Sequence, residues 1–106
     1  MARHDVGSIV DFPEQLGVRV RAGQRMVAVF RVGTQLFAVD DACPHRGFPL
    51  HDGSVHGESV RCRSHGSCFN LRTGALERGP AGRGIHAYAA CIVGDRVAVE
   101  IPDAAD

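Results

Sequence analysis

Short runs rich in β-branched, aromatic and small apolar residues recur along the chain: VRVRA (18–22), MVAVFRV (26–32), QLFAVD (35–40), SVRC (59–62), IHAYAACIV (85–93) and RVAVEI (96–101). Glycine and proline separate them, and Gly33-Thr34 and Gly94-Asp95 predict two-residue hairpin turns. No segment sustains an apolar period of 3.6 residues. The best helical candidate is a single turn near Pro13 to Leu16. The predicted fold class is all-β and mainly antiparallel.

The stretch from Asp41 to Arg83 differs from both flanks. It is rich in Gly, Pro, His and Arg, poor in apolar runs, and holds three of the four cysteines. It reads as a loop-built site mounted on a β scaffold. At 106 residues the chain, 1–106, is expected to be one domain, with this segment, about 41–83, inserted in the scaffold. The tail Pro102 to Asp106 is expected to fray.

Charge narrows the function classes. Twelve basic residues, all arginine, balance twelve acidic ones, so net charge supports neither a nucleic-acid partner nor a membrane surface. No run approaches the roughly 18 apolar residues of a membrane span, and the N-terminus lacks the features of a secretory signal. The expected compartment is the cytoplasm, where four cysteines point to metal or redox chemistry more than to disulfides.

Their spacing carries that chemistry. Cys43-Pro44-His45 is a C-x-H pair and Cys62-Arg63-Ser64-His65 a C-x-x-H pair, with 16 residues between His45 and Cys62. Two loops brought to one end of a sheet would offer two thiolates and two imidazoles. A tetrahedral zinc accepts that set. A Rieske-type [2Fe-2S] cluster also accepts it, with both cysteines on one iron and both histidines on the other. Common zinc knuckles pair Cys with Cys and His with His. Here each loop supplies one of each, which favours the binuclear cluster.

The text CPHRGFPL (43–50), Gly53 and CRSHGSCFNLRTG (62–74), with Gly79-Pro80-Ala81 in the place of a third, proline-containing loop, resembles the Rieske iron-sulfur family. The resemblance implies a Rieske-like antiparallel β-sandwich with a small loop-built cluster-binding subdomain. It implies one [2Fe-2S] cluster, with Cys43 and Cys62 on one iron and His45 and His65 on the outer iron. Mixed ligation makes chemical sense: two ferric ions, two sulfides and two thiolates sum to zero, so adding an electron costs less than in a four-cysteine cluster.

The sequence departs from the respiratory Rieske proteins at informative positions. Their loop-clamping disulfide cannot form, because Phe48 and Ser64 stand where its cysteines would be. Ser67 occupies the place of a hydroxyl that donates to cluster sulfur, but Phe69 replaces the tyrosine that supplies the second. A potential in the lower half of the Rieske range, roughly −150 to +300 mV, is therefore expected. Arg63 takes the place of the usual proline after the second ligand cysteine.

Other residues have plainer roles. Gly47, Gly66 and Gly53 are expected turn residues that also let backbone N–H groups approach the cluster. Cys68 reads as a half-buried bystander under the loop and Cys91 as a strand-core thiol, with a disulfide between them disfavoured. His51 and His56 read as exposed loop histidines. Phe48, Pro44, Pro49 and Leu50 surround His45 with apolar surface, either as loop packing or as a docking patch. Asp40, Asp41, Asp52 and Glu58 precede a basic stretch holding Arg61, Arg63, Arg72, Arg78 and Arg83, so the site is expected to be acidic on one side and basic on the other.

No nucleotide loop or nucleophile accompanies the motif. The resemblance therefore implies a soluble one-electron carrier and not an enzyme in itself. Such a ferredoxin passes electrons from a flavin-dependent ferredoxin reductase to a terminal, aromatic-ring-hydroxylating oxygenase. The alternative is the small Rieske subunit of an assimilatory nitrite reductase-like complex.

Overall fold

The computed structural model describes residues 2–44, 47–64 and 66–102. A central antiparallel sheet is built from β2 (Gly17–Ala22), β3 (Arg25–Val32), β4 (Gln35–Asp40) and β9 (Ala87–Tyr88), in that order. On one side lies a three-stranded sheet, β1 (Ala2–Ser8), β11 (Arg96–Ile101) and β10 (Ala90–Val93). On the other lies a four-stranded sheet of three-residue strands: β5 (Ser54–His56), β6 (Ser59–Arg61), β7 (Cys68–Asn70) and β8 (Leu76–Arg78). No α-helix occurs among the described residues.

Side chains alternate across a strand, and β3 uses both of its faces. Val27 and Val29 enter one core with Phe12, Ala38, Val97 and Val99, while Ala28 and Phe30 enter a second core with Phe37, Val39, Leu50, Val60 and Phe69. Burial on both sides is why MVAVFRV is a continuous apolar run where a half-exposed strand would alternate.

The hairpins predicted at Gly33-Thr34 and Gly94-Asp95 are present, closed by the pairs Val32 with Gln35 and Val93 with Arg96. Gly23-Gln24 and Gly57-Glu58 make two more of the same length. The run IHAYAACIV is two strands, not one. It leaves the central sheet after Tyr88 and joins the outer sheet at Ala90, carrying the chain from one layer to the next.

The helical turn expected near Pro13 lies earlier, as a single 3-10 turn at Ile9–Asp11, where the Ser8 hydroxyl accepts the Val10 N–H. Phe12 is drawn into the core directly afterwards, and the next residues pair with β3 through the Glu14–Arg31 bridge. The Gln15 N–H is given to the Arg31 carbonyl at 2.7 Å and not to a helical turn. Of the expected frayed tail, residues 103–106 lie outside the described residues.

Candidate metal centre

The two cysteine loops leave the scaffold in the same way. Cys43 follows β4, Cys62 follows β6, and their side chains are buried, at 2% and 1% exposure. The Cys43 N–H donates to the Phe48 carbonyl at 2.8 Å, and the Gly47 N–H donates to the Cys43 carbonyl at 2.6 Å. The second loop repeats both bonds. The Cys62 N–H donates to the Ser67 carbonyl at 2.8 Å, and the Gly66 N–H donates to the Cys62 carbonyl at 3.1 Å. Gly47 and Gly66 close these twin turns at φ of 74° and 82°, a conformation that glycine adopts without strain.

Each turn therefore places its glycine four residues after its cysteine, although the motifs space Cys to His by two residues in one loop and three in the other. His45, Arg46 and His65 lie outside the described residues. The candidate ligands that are described, Cys43 and Cys62, both belong to the core shared by the central sheet and the β5–β8 sheet. No group of three or more ionisable metal ligands is assembled among the described residues.

The third loop is fastened to the second. Ser67 is buried, and its hydroxyl oxygen accepts the Ala81 N–H at 3.0 Å. Gly79 approaches so closely that a Cβ there would lie 2.4 Å from the Ser67 Cα. Pro80 is exposed between them. Because the Ser67 oxygen is the acceptor in that bond, its own O–H remains a donor. Phe69, in the position where a second hydroxyl would stand, is fully buried and pairs with Val60.

The apolar residues beside the first loop divide. Leu50 is fully buried and packs in the core, whereas Phe48 is 45% exposed. Cys68 is half-buried on β7, its thiol directed at the Gly66 carbonyl. Cys91, expected in a strand core, is only half-buried on β10, and neither of these two thiols is in a disulfide. His56 is exposed as expected.

His51 is not a loose loop histidine. Its N–H and its Nδ1 both lie 2.8 Å from the carboxylate of Asp41, whose side chain is fully buried and also receives Arg19 Nε at 3.3 Å. On the neighbouring strands, the Tyr88 hydroxyl donates to Asp40 at 2.6 Å and accepts from Arg25 at 3.2 Å. Burial, and then the bond to Asp40, push the Tyr88 phenol up to about 12.

The expected two-signed surface is corrected by these contacts. Asp41 is paired internally, Asp40 is engaged by Tyr88 and the His86 N–H, and Glu58 is held by a two-pronged ion pair with Arg72. That guanidinium holds the Glu58 carboxyl below its usual range. Arg61, Arg63, Arg78 and Arg83 are exposed and have no side-chain partner among the described residues. Asp52 remains as an exposed carboxylate at the end of the first loop, 3.4 Å from His51 Nε2, and the unpaired charge beside the second loop is basic.

Two buried cysteines on matched turns, a buried hydroxyl between the loops and histidines in the adjoining positions fit the donor set of a small iron-sulfur cluster. Comparison with known proteins agrees. The family model of the Rieske [2Fe-2S] domain matches residues 2–89. The chain is 36% identical over 98 residues to the anthranilate 1,2-dioxygenase ferredoxin subunit of Burkholderia cepacia, covering 92% of this chain and 91% of that protein. It superposes on a chain of the complex of reduced oxygenase and oxidised ferredoxin in carbazole 1,9a-dioxygenase with a TM-score of 0.83 and 30% identity, covering 92% of this chain and 91% of that one. The ferredoxin of carbazole 1,9a-dioxygenase from Nocardioides aromaticivorans IC177 shares the fold, with a TM-score of 0.87 at 24% identity over 93% of this chain and 97% of that one. The chain belongs to the Rieske [2Fe-2S] domain family, whose cofactor is one cluster with two cysteine and two histidine ligands.

Proposed function

We propose that this protein is a one-electron carrier that receives an electron from a flavin-dependent ferredoxin reductase and delivers it to a terminal, aromatic-ring-hydroxylating oxygenase. Cys43 and Cys62 hold one iron, His45 and His65 hold the other, and the segment 41–83 forms the cluster-binding unit on the β scaffold. The cluster supplies reversible storage of one electron. The chain's own groups bury the cysteine side, fix both loops through the twin turns and, through Ser67, offer one hydroxyl donor toward the site.

The observation that carries this reading is the pair of matched turns around Cys43 and Cys62, which bury both thiols at the same depth. Extensive similarity to a dioxygenase ferredoxin subunit supports the carrier role and the oxygenase as electron acceptor. Among the described residues no helix is long and apolar enough to cross a membrane. A cytoplasmic shuttle is in keeping with that.

The test is direct. The purified protein should be red-brown, bleach on reduction, and show a Rieske-type EPR signal. It should pass electrons from a flavin-dependent ferredoxin reductase to an aromatic-ring-hydroxylating oxygenase. Replacing His45 or His65 by alanine should abolish the spectrum, and Cys91→Ser should not. A colourless protein that binds zinc instead would overturn the reading.

A further inference from the structure

Three arginines without a side-chain partner among the described residues, Arg61, Arg63 and Arg78, lie together beside the second cysteine loop. In the β5–β8 sheet, Arg61 pairs across the strands with Cys68, and Cys68 pairs with Arg78. Arg61, Cys68, Arg78 and Gly66 line one shallow depression. A second depression is lined by Ser54, Arg61, Cys62, Arg63, Ser64 and Gly66. The two meet at Arg61 and Gly66. With strands about 4.8 Å apart, the stems of Arg61 and Arg78 are set roughly 10 Å from each other.

Arg61 lies directly on the second cysteine loop. Its guanidinium nitrogens are 3.2 and 3.3 Å from the point where a side chain on Gly66 would begin. Among the described residues, no carboxylate lines either depression. Glu77, beside Arg78 on β8, is engaged by Ser59 and Asn70. The depression at the first cysteine loop is different, because Asp40 and Asp41 offset Arg19, Arg25 and Arg83 there.

We infer that the Arg61, Arg63 and Arg78 face is the docking surface for a carboxylate-bearing face of the protein that exchanges electrons with this one. The inference rests on the carrier reading and adds the chemistry of the partner. Formal net charge is zero, so the net charge itself supplies no long-range attraction. With a Debye length near 8 Å at physiological salt, orientation must come from a local cluster of charge. This cluster adjoins the loop of Cys62. Complementary charge there would raise the encounter rate and select the orientation that brings the loop to the partner.

Small redox reagents read this field without an identified partner. The reduced holoprotein is oxidised in a stopped-flow instrument by anionic ferricyanide or by a cationic cobalt(III) phenanthroline complex, across a range of ionic strength. The ferricyanide rate should fall with salt and the cobalt rate should rise. The double variant Arg63→Gln/Arg78→Gln should slow ferricyanide by about tenfold at low salt and flatten its salt dependence. Arg3→Gln/Arg96→Gln, which removes the same charge from the outer β1–β11 sheet, should change little. Arg61→Gln should act like the double variant once its cluster content is matched by absorbance.

Poly-L-glutamate, as a carboxylate-bearing probe, should slow ferricyanide oxidation of the wild type and not of Arg63→Gln/Arg78→Gln. Equal salt slopes in wild type and site variant, or equal effects of site and control variants, would overturn the inference. So would binding of single-stranded DNA with no response to poly-L-glutamate, which would reassign the face to nucleic acid. Failure of the carrier reading would look different, as a protein whose visible absorption does not bleach reversibly.

Discussion

Asp41 accepts two hydrogen bonds from one residue, His51: the backbone N–H to Oδ1 and the ring Nδ1 to Oδ2, each at 2.8 Å. A carboxylate only accepts, so Nδ1 carries the proton. Asp41 stands two residues before Cys43, and His51 stands at the far end of the same loop. The pair ties the loop's two ends together beneath its tip. Asp41→Ala should destabilise the protein by about 2–3 kcal/mol, because it leaves the His51 donors without their buried acceptor. Urea denaturation of the holoprotein measures the loss, and iron content should fall with it. Asp52→Ala, a change at an exposed carboxylate 3.4 Å from the other ring nitrogen, should cost far less.

Ser67 offers a cleaner test of function than of stability. Ser67→Ala removes the buried hydroxyl oxygen that accepts the Ala81 N–H, and with it the O–H that we propose donates toward the cluster. One hydrogen bond of ordinary strength, about 1 kcal/mol, corresponds to roughly 40 mV for a one-electron couple. The midpoint potential should fall by about that amount. Redox titration checks it, and an unchanged potential would show that Ser67 serves the third loop alone.

Gly79 is the complementary position. Gly79→Ala would place a methyl group 2.4 Å from the Ser67 Cα at a φ of 105°. The third loop cannot then close on Ser67, and the variant should lose about 2 kcal/mol or more. The cluster should bleach faster in air, which visible absorbance follows.

Tyr88 makes stability depend on alkaline pH. Its phenol titrates at about 12 in the folded protein, against an ordinary value near 10 when unfolded. Between those values the folded state holds a proton that the unfolded state has released. Stability therefore falls as pH rises from about 10 to about 12, and the contribution is fully present below 10. Denaturation midpoints across that window should decline, and Tyr88→Phe should decline less. The chain has one tyrosine and no tryptophan, so the ultraviolet phenolate band reports this residue alone.

Arg72 bridges two layers. It grips Glu58, donates to Gln35 at 3.0 Å and lies over the Phe37 ring at 5.3 Å. All these contacts are near solvent, so Arg72→Ala should cost no more than about 1 kcal/mol by chemical denaturation. High salt should shrink the difference between variant and wild type.

Much of this was legible in the sequence. The central strands announce themselves because both their faces are apolar, and the two cysteine motifs because their spacing is so particular. The β5, β7 and β8 strands were not legible. Three residues are too few to show a period, and each strand turns a single residue to the core: Val55 in the middle of β5, Phe69 in the middle of β7 and Leu76 at the start of β8. The role of His51 was hidden for another reason. Its partner Asp41 is ten residues away, and only the closed loop makes them neighbours. The charge pattern misled because sequence counts carboxylates without showing which are already taken, as Glu58 is by Arg72.

The double burial of β3 has a mechanical consequence. A strand whose successive residues, Val27, Ala28, Val29 and Phe30, belong alternately to two cores couples the stability of one core to that of the other. The layer that carries the cysteine loops and the layer behind it are therefore expected to melt together. Visible absorbance and far-ultraviolet dichroism should trace a single superimposed transition on heating. On heating, loss of the cluster and loss of the sheet behind it are thus expected to be one event.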